Sequence, residues 1–172
     1  VEKIMNAIAN NAYMASAMLA QERGAFPLYD SEEIMKAPFV RSLDKEVQDT
    51  IDELGLRNGV LLTIAPTGTT SLVYGNISSG LEPNFAFSYN RKVFSSDNEH
   101  QTETYDEVTT YLWRLYKAHF HGKVNGTLPP YITGQHEYMI TAQDLGVPAQ
   151  LRIQAACQKW VDASISKTIN VP

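Results

Sequence analysis

The residues best suited to binding chemistry lie in a short turn after an apolar run. A glycine here allows close approach of the backbone to a ligand, and the neighbouring hydroxyls are hydrogen-bond donors. A helix starting in the turn would present free N–H groups and its positive dipole end to an anion. The residues allow two interpretations, a phosphate-binding turn or an ordinary strand-to-helix turn with a Ser/Thr cap. The members of this 66–71 turn are Pro66, Thr67, Gly68, Thr69, Thr70 and Ser71.

Four further polar residues are functional candidates. Glu82 stands between a glycine turn and a proline, where it can hold a ligand hydroxyl or act as a base, or cap a turn or pair with an arginine. His119 and His121 have no carboxylate or cysteine beside them, so we interpret them as loop histidines at a helix end and predict no metal site. Cys157 lies on an apolar helix face, which favours a small core residue over a reactive thiol.

Composition and charge narrow the class of protein. The chain has 172 residues, of which 44% are hydrophobic, which suits one domain with a substantial core. The net charge of −5 argues against a general nucleic-acid binder. No apolar run approaches the roughly 18 residues of a membrane span. A single cysteine excludes a disulfide framework and fits a reducing compartment. We therefore expect a cytoplasmic protein with no nucleic-acid or membrane partner.

The elements that would position the 66–71 turn are mainly helices. Asp30 and Glu33 form a capping pair for the second helix, and Ser42 is a candidate cap for the third. Gly24 and Gly55 stand where helices should stop. Apolar spacing and these signals predict helices at 2–23, 31–36, 43–54, about 69–74, about 104–119 and 148–162.

Strands and loops are predicted from shorter patterns. The continuous apolar run 60–64 fits a parallel strand buried on both faces. The run 164–170 alternates, with Lys167 on the face of two isoleucines, which suits a barrel wall that lines a site. Residues 86–94 read as a ribbon and 95–102 as a polar loop. The glycines and prolines of 121–146 predict loops.

Several of these motifs, taken in order, resemble the large catalytic subunit of ribonucleotide reductase. The Ala-Pro-Thr-Gly-Thr form and the Ser-Lys-Thr-Ile-Asn ending look most like the adenosylcobalamin-dependent class II enzymes. The resemblance covers about 1–29, 54–94 and 147–172 and is weak over 95–146. Its anchors are the sequences at 55–58, 64–71, 79–85, 152–156, 158–162 and 164–170.

The resemblance implies an α/β fold. Residues 1–172 would form a single segment of the C-terminal part of the family's ten-stranded α/β barrel, helix-rich with a few parallel strands. We expect a fragment of a longer chain, because no cap precedes the first helix and the chain stops directly after a strand-like run. The 66–71 turn would hold the substrate phosphates, with Ala65 and Glu82 as candidate supports.

The family's chemistry uses a cysteine thiyl radical at the sugar 3′ position, an assisting glutamate and asparagine, and a reducing cysteine pair. The finger-loop pattern Asn-x-Cys-x-Glu is absent here, and Cys157, the only cysteine, matches none of these cysteines. We therefore expect no catalytic residue in this segment and no activity from it alone.

The resemblance also implies a cofactor and partners. The parent enzyme, a ribonucleoside-diphosphate reductase, would use adenosylcobalamin, for which no residue of this segment is identified as a ligand. The implied partners are a ribonucleoside di- or triphosphate, the remainder of the reductase chain, and a second copy in a homodimer. Two alternatives stand: the di-metal class I with a separate radical-generating subunit, and a non-catalytic α/β module that binds a small phosphorylated ligand.

Overall fold

Helices dominate the described part of the chain. The structure, a computed structural model, describes residues 1–75, 80–97, 100–109, 111, 113–114 and 140–169, with the backbone alone for 91–97 and 100–109. None of the helices in these ranges is long and apolar enough to cross a membrane. The elements are α1 (Glu2–Arg23), α2 (Ser31–Lys36), α3 (Pro38–Arg41), α4 (Lys45–Leu54), α5 (Gly68–Val73), β1 (Ser88–Asp97), β2 (His100–Thr109) and α6 (Val147–Gln158).

The chain divides into two compact units. The first unit is Val1–Ala65 with Pro148–Ser166, and the second is Pro66–Val147 with Lys167–Pro172. The 66–71 turn therefore begins the second unit. It directly follows the extended run that ends at Ala65, the last residue of the first segment of the first unit.

The core of the first unit lies between α1 and α4. The buried side of α1 carries small residues and Tyr13, which allows a close approach to Val47 and Ile51 of α4. The larger apolar residues of α1 lie on its other side, where Ile4 is 65% exposed. The core cluster consists of Ala9, Tyr13, Ala17, Val40, Leu43, Val47, Ile51 and Leu56.

The structure confirms both predicted glycine stops and one of the two predicted N-terminal caps. Gly24 and Gly55 end α1 and α4 with φ values of 78°, a region that favours glycine. The side chain of Asp30 accepts the N–H of Glu33 at 3.1 Å, so the predicted start of α2 is confirmed.

The predicted Ser42 cap is wrong. The Ser42 hydroxyl donates to the carbonyl of Phe39 at 2.6 Å, because Pro38 begins the extra helix α3 in front of it. Helix α4 starts later, after Asp44, whose N–H donates to the side chain of Asn10 at 2.7 Å. A tertiary contact with α1 thus replaces the local cap that the sequence indicated.

The two runs predicted as parallel strands form no strand among the described residues. They share one isolated parallel bridge, between Ile64 and Ile165. The N–H of Ser166 donates to the Ile64 carbonyl at 3.1 Å, and the N–H of Ala163 donates to that of Leu62 at 3.1 Å. Val60 is 65% exposed, so the expected burial of both faces of 60–64 is wrong. A parallel strand is buried when sheet neighbours and helices cover it, and here the described residues give this run one partner.

The carboxylate of Asp162 fixes the start of that run. It accepts the N–H of Leu61 at 2.8 Å, the N–H of Leu62 at 2.7 Å and the hydroxyl of Tyr13 at 2.7 Å. Burial raises the pKa of the Tyr13 hydroxyl, and the hydrogen bond and negative charge of Asp162 raise it further. Tyr13 therefore stays a donor, and one side chain joins α1 to the extended run.

An antiparallel hairpin of β1 and β2 occupies the second unit. The register places Ser88 opposite Thr109, Val93 opposite Thr104, and Asp97 opposite His100. The predicted ribbon is thus confirmed from residue 88. The predicted polar loop at 95–102 is wrong at 95–97 and 100–102, which continue the two strands.

The start of the predicted 104–119 helix is also wrong. Residues 104–109 belong to β2, and helical backbone is described at Tyr111, Trp113 and Arg114. The threonines, tyrosine and valine of this run favour strand, and pairing with β1 outweighs the helical spacing of its apolar residues. His119, His121 and the predicted loops at 121–139 lie outside the described residues.

The late helix and the alternating run agree with the sequence. Helix α6 spans Val147–Gln158, a little shorter than predicted. Cys157 is fully buried, so its interpretation as a core residue is confirmed, and burial raises the pKa of its thiol. Burial alternates along 164–169, with Ile165, Lys167 and Ile169 less exposed than their neighbours.

We predict that Asp162→Ala lowers the free energy of unfolding by about 3 kcal/mol, because two N–H groups and the Tyr13 hydroxyl lose a charged acceptor. Urea unfolding followed by tryptophan fluorescence measures the loss. The matched control is Asp144→Ala, an exposed aspartate that also accepts two hydrogen bonds from Thr141 and whose removal should cost less than about 1 kcal/mol. Equal losses in the two variants would contradict the anchoring role of Asp162.

Candidate functional site

The 66–71 turn lies on the surface and opens into α5. Residues 65–70 are all exposed, and α5 begins at Gly68. Thr67 occupies the N-cap position in the left-handed conformation, with φ 46° and ψ 18°. The unusual backbone geometry is therefore at Thr67, and Gly68 already has a helical conformation.

Three backbone N–H groups of the turn have no partner within the helix. The first hydrogen bond of α5 is donated by the N–H of Ser71 to the Thr67 carbonyl, at 2.8 Å. The N–H groups of Gly68, Thr69 and Thr70 precede it, as expected at a helix start. No side chain caps this end of α5, which disfavours the ordinary Ser/Thr-cap interpretation.

The space around Gly68 is open. A Cβ placed on this glycine would meet no heavy atom within 4 Å. A side chain there is therefore compatible with the protein itself.

The hydroxyls of the turn fall into two groups. Those of Thr67, Thr69 and Thr70 are on exposed residues and can donate to a ligand. Ser71 is buried, and its hydroxyl donates to the Gly68 carbonyl at 2.8 Å. Ser71 thus stabilises the turn from within.

The far end of α5 is held by a cation. The guanidinium of Arg114 donates to the carbonyl of Gly75 and lies 5.8 Å from the ring centroid of Tyr111. Gly75 has a φ of 75°, and a Cβ there would come within 3.0 Å of the guanidinium. A positive charge at a helix C-terminus interacts favourably with the helix dipole.

Glu82 is part of a buried ion pair. Its Oε2 lies 3.1 Å from the Nζ of Lys167, and its Oε1 accepts the N–H of Thr168 at 2.6 Å. The Lys167 side chain is 1% exposed and that of Glu82 16%. Glu82 therefore pairs with a lysine, whereas the sequence analysis considered an arginine. This pairing favours an ion-pair role for Glu82 over that of a free base.

Lys167 is the residue that the sequence analysis missed. Its ammonium also donates to the Leu81 carbonyl at 3.3 Å. The one signal in the sequence was its place on the isoleucine face of an alternating run, where a charge needs a partner.

The structure shows no metal centre within the ranges it describes, where no three His, Cys, Asp or Glu side chains gather as ligands. The chemistry available at the turn is thus that of backbone N–H groups and hydroxyls.

Comparison with known proteins gives one family and several relatives. The family model "Ribonucleotide reductase, barrel domain" matches residues 1–172. A vitamin B12-dependent ribonucleoside-diphosphate reductase of Thermoplasma acidophilum is 29% identical over 99% of this chain and 21% of its own length. One of Mycobacterium tuberculosis is 31% identical over 99% of this chain and 23% of its own.

A ribonucleoside-diphosphate reductase large chain of Encephalitozoon cuniculi is 27% identical over 98% of this chain and 24% of its own length. The chain thus spans between a fifth and a quarter of the length of these three relatives.

We predict that Thr67→Gly raises the free energy of unfolding by about 1 kcal/mol, because a β-branched residue is strained in the left-handed region and glycine is not. The matched control, Thr69→Gly in the first turn of α5, should lower it by about 0.5 kcal/mol. Urea unfolding of both variants tests this. A loss of stability in both would contradict the left-handed conformation at Thr67.

Proposed function

The chain belongs to the ribonucleotide reductase barrel-domain family, and from this premise we propose that it is part of an enzyme that converts ribonucleotides to deoxyribonucleotides by radical chemistry. Within that enzyme the segment binds the phosphates of the substrate through the 66–71 turn. The observation that carries this role is the exposed start of α5, where the N–H groups of Gly68, Thr69 and Thr70 lack helical partners.

Phosphate binding at this turn follows from the direction of its dipoles. Phosphate oxygens accept hydrogen bonds from the three N–H groups and from the hydroxyls of Thr67, Thr69 and Thr70. No lysine or arginine lies in the turn, so the positive end of α5 supplies the favourable field. Ala65, which directly precedes the turn, and Glu82 are the residues that support it in this proposal.

The substrate we propose is a ribonucleoside di- or triphosphate. The three relatives described above are named ribonucleoside-diphosphate reductases, which favours the diphosphate. Comparing KM for a diphosphate and the matching triphosphate in the complete enzyme distinguishes the two.

In the proposed function the radical step takes place on residues outside this segment. The only cysteine, Cys157, is buried, and burial raises the pKa of its thiol. It packs in the core of the first unit. The partners we propose are the rest of the reductase chain and a second copy of it, in the cytoplasm.

The cofactor we propose for the parent enzyme is adenosylcobalamin, which would supply the radical that starts the reaction. Vitamin B12 dependence is named for the relatives of Thermoplasma acidophilum and Mycobacterium tuberculosis. We assign none of the described residues to the cofactor. The di-metal class I stands as the alternative.

We predict that Gly68→Val in the complete reductase raises KM for the ribonucleotide about tenfold, because a branched side chain fills the approach to the N–H groups. The fold should survive, since a Cβ at Gly68 meets open space. The matched control is Val73→Thr, a similar volume at the exposed other end of α5, which should leave KM unchanged. A wild-type KM in the Gly68 variant would refute the phosphate-binding role.

We predict that the complete reductase reduces its substrate only when adenosylcobalamin is added, and without a second subunit. Deoxyribonucleotide formation with and without the cofactor, measured on one preparation, checks this. Activity that depends on a metal-containing partner subunit, and is indifferent to the cofactor, would establish the di-metal alternative.

A further inference from the structure

The second unit holds a charge pair that the phosphate chemistry of the turn does not use. The ammonium of Lys167 is buried against Leu81 and Glu82, and the Glu82 carboxylate receives both this ammonium and the N–H of Thr168. Two stretches separated by 85 positions in the chain are therefore joined at three polar contacts.

Stability alone is a weak explanation for such a pair. Removing two charges from water costs free energy that their attraction barely repays, and apolar replacements of similar volume are often as stable. A buried pair does, however, allow one arrangement of the two stretches and penalise others, because a displaced partner leaves a charge unpaired in the interior. The geometry thus indicates a role in positioning.

The element that needs positioning is α5. It has six residues and no side-chain cap at its start, and a helix this short is not stable by itself. Its location depends on where the chain after it is held. The polar contacts that hold this chain include those of Arg114 with the Gly75 carbonyl and of Lys167 with Leu81 and Glu82.

We propose that Lys167 is a positioning residue for the substrate. By binding Glu82 and the Leu81 carbonyl, it fixes the chain that follows α5 and keeps the N–H groups of Gly68, Thr69 and Thr70 directed at the phosphate. Lys167 itself does not touch the substrate. This inference rests on the proposed phosphate-binding function of the turn.

The first test is Lys167→Met in the complete reductase, which keeps the length of the side chain and removes its charge. We expect KM for the ribonucleotide to rise about tenfold while kcat changes less than about threefold, because a supporting residue acts through the geometry of the residues that bind. The melting temperature should fall, since the carboxylate of Glu82 is left buried. An unchanged KM overturns the inference.

A second variant separates positioning from stability. In Lys167→Met combined with Glu82→Leu, no charge is left unpaired, so the melting temperature should return towards that of the wild type. KM should stay raised, because the Thr168 N–H and the Leu81 carbonyl are no longer tied together. If KM recovers together with the melting temperature, Lys167 acts on stability alone and the inference is overturned.

Two controls run in the same assay. Lys36→Met removes an exposed lysine, 3.0 Å from Glu33, and should change neither KM nor the melting temperature. Gly68→Val tests the proposed function directly. If Gly68→Val raises KM and Lys167→Met does not, the positioning role fails while the phosphate-binding turn stands. If neither raises KM, the proposed function fails and the inference with it.

Discussion

The polar organisation of the first unit depends on one carboxylate. Asp162 accepts hydrogen bonds from two successive backbone N–H groups and from the buried hydroxyl of Tyr13, all within 2.8 Å. A backbone N–H that is withdrawn from water without an acceptor costs about 1–3 kcal/mol. Among the described residues, the run that begins at Leu61 belongs to no strand and makes one isolated bridge, with Ile165, so Asp162 supplies acceptors that a sheet would otherwise provide.

This polar anchor and the apolar core have different tasks. The packing of α1 on α4 removes apolar surface from water and supplies the general driving force for folding. Apolar contacts are not directional, so they do not by themselves determine where an extended run must lie. Directed bonds to Asp162 set that position. The pair of Lys167 and Glu82 has the corresponding role in the second unit, where it fixes a turn against the run at 167–168.

Elements set by local chemistry were predictable from the sequence. Helix α1, the cap of α2 and the two glycine stops depend on residues close together in the chain, and the structure agrees with them. The errors arose where a distant partner decides the outcome. Ser42 does not cap α4, because the helix begins after Asp44, whose N–H binds the side chain of Asn10. Residues 104–109 pair with β1 as a strand, because this pairing supplies hydrogen-bond partners for their backbone groups. A helical pattern within one stretch of sequence does not reveal such a pairing.

The same distinction applies to the candidate site. The 66–71 turn was recognisable because its proline, glycine and hydroxyls are contiguous. The left-handed conformation was assigned to no residue in advance, and the structure places it at Thr67, next to the residue type that adopts it most easily. The Lys167–Glu82 pair spans 85 positions, and no spacing rule links residues so far apart. Its one trace in the sequence was a lysine on an apolar face, which shows that a partner is needed and does not identify it.

A phosphate site without a cationic side chain depends strongly on its backbone. A lysine is flexible and can follow a phosphate over several ångströms, whereas N–H dipoles act only when they point at the oxygens. In the proposed function, the affinity of the 66–71 turn is therefore set by how firmly the chain on each side is held. Within the second unit, Arg114 and Lys167 hold the chain after the turn. In the proposed function these two residues do not bind the phosphate; they keep the three N–H groups directed at it.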